Sequence, residues 1–323
     1  MNRKERVLAA LRGEPTDHVP VSFWRHFRDE NGRPPMGRES ARYHLEFYRE
    51  TGLDFIKIMY DGFTAPFDFE RIETVQDLVK AVRNGPREKY ANDLYDRAAW
   101  TSQLLKDEAV TYFNLFSSFM LLRKIGDGVL AELLRRDRKS VLLALEEITE
   151  TLCRTEERIL MQTDCLGIFV CFQGAEENRF SEEDYGEIVR PADLRLLDAA
   201  NRYSDYNMAH FCAWDGNKNV LSRWRDYPAR AVNWATYIDG FTLSEGSEYF
   251  GGRPVLGGFD NRIGSLLYTG TKDEIQKEAR RLAAEYRGGR GNLNGLILGA
   301  DCSILPPFEL ERFRWVREAM WEE

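Results

Sequence analysis

The sequence lacks any apolar run near the roughly 18 to 20 residues needed to span a bilayer. It lacks the apolar core of a signal peptide, since Met1-Asn2-Arg3-Lys4-Glu5-Arg6 leads into a charged amphipathic segment. It lacks an excess of basic charge: 45 Lys and Arg against 53 Asp and Glu leave a net −8. A general nucleic-acid binder needs basic surface to release counterions, so that class is disfavoured, as is attraction to an anionic membrane. Internal repeats, low-complexity segments and linkers are also missing, so no domain boundary is placed and 1–323 is read as one domain. Cysteine is sparse and odd in number, at Cys153, Cys165, Cys171, Cys212 and Cys302. An odd, irregular set argues against a disulfide framework. The expected setting is the cytoplasm, where these thiols stay reduced.

What is present is a soluble globular composition, with 43% hydrophobic and 30% charged residues. Length alone suggests about two domains, but α/β barrels of this size run as one unit. The chain alternates short apolar runs with amphipathic ones. Strands are expected at 19–23, 54–60, 108–116 and 166–172, at a run ending in His210 and Cys212, and at 230–236, 254–258 and 293–299. Helices are expected over 40–51, 74–83, 117–135, 138–162, 191–204, 243–250, 271–286 and 308–321, with a weak one at 217–226. About eight strands, each followed by a helix, imply parallel strands with right-handed crossovers. Over this length a (β/α)8 TIM barrel fits better than an open sheet.

Barrels carry their chemistry at the carboxyl ends of the strands. Arg25, His26, Asp61, Glu176, His210, Cys212, Asp260 and Cys302 all fall there. His210 and Cys212, two apart at a strand end, point to one face. With Cys302 they offer an imidazole and two thiolates, three zinc ligands with a fourth position open. The plainer reading is two buried thiols and a core histidine. Arg25 and His26 suit a substrate carboxylate or sulfonate, or form a solvated basic turn; Asp61 beside Gly62 lines the site or simply turns the chain. Cys153, Cys165 and Cys171 read as structural. Arg287-Gly288-Gly289-Arg290-Gly291 reads as a plain turn at the amino end of the last strand.

Several runs resemble the uroporphyrinogen decarboxylase superfamily. They are Arg6-Val7-Leu8-Ala9-Ala10-Leu11 with Asp17-His18-Val19-Pro20-Val21, Phe180-Ser181-Glu182-Glu183-Asp184-Tyr185, Gly257-Gly258-Phe259-Asp260-Asn261-Arg262 with Thr269-Gly270-Thr271, and Gly295 through Cys302 with Pro306-Pro307. The resemblance implies a (β/α)8 barrel and one of two chemistries. The decarboxylase branch, which works without metal, matches at Arg25 and Asp61; its second arginine falls on Asp29 and its Leu-Gly-His-Gly reads Leu298-Gly299-Ala300-Asp301. The other branch comprises zinc-dependent methyltransferases that move a methyl group between corrinoid proteins and thiols such as coenzyme M. Its His-x-Cys and distant Cys match His210, Cys212 and Cys302, although Ala213 replaces the usual following glycine.

The favoured expectation is zinc-dependent methyl transfer from methylcobalamin or another methylated corrinoid, supplied in trans by a corrinoid protein, to a small-molecule thiol. Asp61 and Glu176 are the expected catalytic carboxylates, and Arg25, His26 and Asp260 the substrate contacts. Glu176, Glu177 or Asp301 is expected to add a ligand or support one. Porphyrinogen decarboxylation, and a non-catalytic binding protein on the same scaffold, are the alternatives.

Overall fold

The computed structural model describes residues 1–62, 65–68, 71–213 and 216–321. Seven strands form one parallel sheet in sequence order: β1 (Phe55–Ile58), β2 (Val110–Phe116), β3 (Gly167–Phe172), β4 (Met208–Phe211), β5 (Ala231–Trp234), β6 (Val255–Phe259) and β7 (Leu296–Ala300). Six of these seven are buried along their whole length, and β2 all but its last residue. Near-continuous apolar runs are what a parallel sheet covered by helices requires. One contiguous apolar core runs from Val7 to Met320.

The sequence predicts eight strands, and the structure corrects the first. The stretch 19–23 makes a bridge between Val21 and Leu298, not a strand. Ser22 N–H donates to the Leu298 carbonyl at 2.9 Å, and Leu298 N–H to the Pro20 carbonyl at 2.9 Å. On its other side, Asp54 N–H donates to the Val21 carbonyl at 2.9 Å, while the Asp54 carboxylate accepts from Val21 N–H at 2.8 Å. Pro20 has no N–H to give. A side chain thus takes the amide that a ladder to β1 would use. Arg6 in turn holds the same carboxylate at 2.6 Å.

A second correction concerns Arg87–Leu105, a helix of 19 residues that the sequence reading passed over. Its buried face includes Arg97, Thr101 and Ser102, so polar residues mask the apolar period. The long helix Asp127–Gln162 breaks at Asp137, between the two helices expected there. Arg287–Arg290, expected as a turn, completes the helix Lys272–Arg290, which Gly291 ends at φ 77°. The weak helix near 217–226 is one turn of 3₁₀-helix, Leu221–Trp224. No helix among the described residues is long and apolar enough to cross a membrane.

Candidate metal and substrate site

Polar residues interrupt the apolar strands, among them Lys57 in β1, Asn114 in β2, His210 in β4 and Asn233 in β5. None is more than 3% exposed. Buried polar groups need partners, and here they find them across the sheet. The register sets Cys171, His210 and Asn233 side by side on β3, β4 and β5.

Asn233 fixes the histidine. Its Nδ2 donates to the Leu256 carbonyl at 2.7 Å and to the Ala300 carbonyl at 3.2 Å. Both amide hydrogens are thereby used, so the Oδ1 that faces His210 Nδ1 can only accept. His210 therefore carries its proton on Nδ1 and presents a lone pair at Nε2. Gly257 makes this possible: at φ 145°, a Cβ there would stand 3.2 Å from the Asn233 amide nitrogen.

The lone pair of His210 Nε2 lies 3.4 Å from Cys302 Sγ. Cys212 extends β4, its N–H donating to the Phe172 carbonyl at 3.1 Å, so its side chain returns to the face of His210. Asp301 does the same for β7, donating to the Phe259 carbonyl at 2.9 Å, and Cys302 follows. The ligand atoms of His210, Cys212 and Cys302 all lie within 4.8 Å of one another. Tetrahedral zinc sets such atoms roughly 3.3 to 3.8 Å apart, so small side-chain rotations suffice. Cys212 donates toward Cys302, which keeps Cys212 a thiol far above its ordinary range, with burial acting the same way. The same contact holds Cys302 well below its ordinary range despite burial, and the charge of Lys57 acts the same way. A soft donor set with its histidine tautomer already set fits a borderline divalent cation.

The three residues lie in the wall of a cavity of about 710 Å³, together with His26, Lys57, Cys171 and Arg262. That volume is typical of small-molecule sites. Cys171, read from sequence as structural, is thus a wall residue, and burial pushes its thiol up to about 11. At the mouth, Asp61 Oδ1 meets His26 Nδ1 at 2.5 Å, and Asp61 Oδ2 accepts from Phe27 N–H at 2.9 Å. Burial would raise the Asp61 carboxyl, but the hydrogen bonds from His26 and the Phe27 amide outweigh it and hold it below the usual range.

Other expected site residues sit elsewhere. Arg25 is half-buried and donates to the His26 carbonyl at 3.3 Å, outside the cavity wall. Glu176 is buried between Arg123, at 3.0 Å, and Arg179, at 2.9 Å. Glu177 pairs with Lys218 at 3.9 Å. Asp260 pairs with Arg262, which does line the cavity. Asp301 accepts from Thr236 Oγ1 at 2.8 Å and from Tyr237 N–H at 3.1 Å, and burial pushes it up to about 8. Asn233 and Lys57 were not among the residues expected from sequence. The signal for both was one polar residue inside a four-residue apolar strand.

The family model described as uroporphyrinogen decarboxylase matches residues 71–322. The chain belongs to this family. Among solved structures, a methyltransferase from Methanosarcina mazei is similar at 18% identity and a TM-score of 0.74, over 100% of this chain and 99% of that one. A B12-independent methionine synthase from Shewanella sp. W3-18-1, in complex with selenomethionine, is similar at 10% identity and a TM-score of 0.59, over 94% and 97% of the two chains. At these identities the likeness concerns the fold. No curated protein matches the chain. For this family member, then, the fold and the convergence of three donors stand on separate observations.

Proposed function

We propose that this member of the uroporphyrinogen decarboxylase family is a zinc-dependent methyltransferase that moves a methyl group from a corrinoid to a thiol. Its frame is a single-domain (β/α)8 barrel, with residues 20–22 in the eighth place. The observation that carries the reading is the convergence of His210 Nε2, Cys212 and Cys302 on one cavity, with Asn233 fixing the histidine tautomer. His210, Cys212 and Cys302 would hold the zinc, which when bound would favour the thiolate form of an acceptor thiol, the nucleophile. The thiolate sulfur attacks the methyl carbon, a carbon–sulfur bond forms, and the carbon–cobalt electron pair stays with the departing corrinoid.

The chain's own residues prepare that step. His26, held at Nδ1 by Asp61, offers Nε2 to the cavity and takes the proton of the acceptor thiol. Glu176 positions Arg123, a wall residue, and does not itself reach the acceptor. Arg262, backed by Asp260, contributes a cation to the same wall. The methylated corrinoid is presented by a separate protein. The Methanosarcina mazei methyltransferase, alike in fold over its full length, supports this class of reaction.

The test is the metal content of protein purified without added zinc, read by elemental mass spectrometry. About one zinc per chain is expected, lost in Cys302→Ser and Cys212→Ser and kept in Cys165→Ser. Thiols are then screened with methylcobalamin. Absence of zinc after incubation with zinc under reducing conditions would end this reading.

A further inference from the structure

Lys57 is a buried cation without a carboxylate. It stands in the middle of β1 at 3% exposure. Its ammonium lies 4.0 Å from the centre of the Phe169 ring, 4.6 Å from that of Trp24, and 3.7 Å from Cys171 Sγ. Among the described residues no carboxylate oxygen pairs with it. Two aromatic faces and one thiol are weak company for an ammonium with three donors. Burying a charge is costly unless it is paired, so Lys57 calls for an anion in this cavity.

The place is beside the three-donor centre. Phe169 carries Lys57 on one side, and its ring centre is 6.3 Å from that of His210. Cys171, the thiol at Lys57, is the register neighbour of His210 on the adjacent strand. Lys57, Cys171, His210, Cys212 and Cys302 line one cavity. Charge counting then gives the anion. A divalent cation held by two thiolates and a neutral imidazole is formally neutral. An acceptor bound there as thiolate brings one uncompensated negative charge into a buried site, and Lys57 brings one uncompensated positive charge.

Building on the proposed thiol chemistry, we infer that Lys57 is a positioning residue, the counter-ion of the acceptor thiolate at the His210–Cys212–Cys302 centre. It acts through charge, not through packing or metal retention. The acceptor binds with its sulfur on the Lys57 side of the cavity, and it needs no charged tail for this contact.

The test uses full-length protein loaded with Co²⁺, whose visible spectrum reports each added ligand. The probes are 2-mercaptoethanol, which binds as an anion and has an uncharged tail, and imidazole, which binds neutral. Lys57→Met should lower the affinity for 2-mercaptoethanol by about tenfold or more, and leave that for imidazole within roughly threefold. Lys57→Arg should recover most of the loss. Lys57→Met should still take up Co²⁺, so that lost thiol affinity is not lost metal. Equal thiol affinity in wild type and Lys57→Met, or a parallel loss for thiol and imidazole, overturns the counter-ion role and leaves the metal site standing. Wild type that takes no Co²⁺, or whose spectrum ignores the thiol, overturns the proposed function and this inference together.

Discussion

Asn233 faces His210 with its amide oxygen, because both of its N–H groups are held by the carbonyls of Leu256 and Ala300. This one relationship decides which imidazole nitrogen can bind a metal. Asn233→Ala removes the acceptor and frees the ring to adopt the other tautomer. Metal affinity should fall by about 10- to 100-fold, the usual cost of losing such a partner. Competition against a chromophoric zinc chelator measures it. An affinity within about twofold of wild type would mean that the tautomer is set by something else.

The sequence made seven of the eight expected strands legible, because each is a short apolar run closed by turn residues. The run at 19–23 looks equally apolar, but its pairing depends on Pro20 and on the Asp54 carboxylate 33 residues from Val21, which no local pattern shows. The helix Arg87–Leu105 was hidden for the opposite reason: Arg97 is buried, donating to the Met59 carbonyl at 3.0 Å and to that of Pro35 at 3.0 Å. The convergence of His210, Cys212 and Cys302 was legible because the first two are local and the fold brings Cys302 to them. Glu176 looked available from its place after a strand, and only the structure shows two arginines closing over it.

Glu176 yields a prediction about stability. The carboxylate is 3% exposed and bonded to both Arg123 and Arg179. Removing one member of a buried ion pair costs about 3–5 kcal/mol, and Asp127, which pairs with both arginines, keeps the loss at the lower end of that range. Glu176→Ala should lose stability of that order in urea unfolding, while the folded fraction keeps its metal. A stable Glu176→Ala protein that loses its metal would place Glu176 among the ligands.

His44 makes the fold sensitive to acid. Its Nε2 accepts from Met59 N–H at 2.9 Å, so its Nδ1 donates to the Ser40 carbonyl at 2.7 Å. The neutral ring is fully satisfied, and burial lowers its pKa from 6.5 to about 4. The unfolded chain binds a proton there between pH 6.5 and 4, and the folded chain does not. Stability is therefore complete above pH 6.5 and drains away as pH falls toward 4, by up to about 3 kcal/mol. The stability gap between wild type and His44→Gln, measured in urea at several pH values, should narrow over that window. A constant gap would show that the buried ring does not stay neutral.

The His26–Asp61 pair allows chemistry to be separated from structure. Asp61 is acceptor-only as a carboxylate, so it holds the His26 proton on Nδ1 and leaves Nε2 as a base toward the cavity. Asp61→Asn keeps the shape and one acceptor for Phe27 N–H, but it turns an N–H toward the imidazole. The ring then protonates on Nε2 and the base is lost. The fold should weaken by only about 1–3 kcal/mol, and bound metal should be unchanged. Methyl transfer from methylcobalamin to a thiol should slow by about 10²- to 10⁴-fold, the usual range for a lost general base. Supplying the thiol at high pH, already as thiolate, should restore most of the rate, because no proton then has to be removed. Nitrogen-15 spectra of the His26 ring should show the proton moving from Nδ1 to Nε2. A variant that swaps tautomer yet keeps its neutral-pH rate would remove His26 from the reaction while leaving the metal centre untouched.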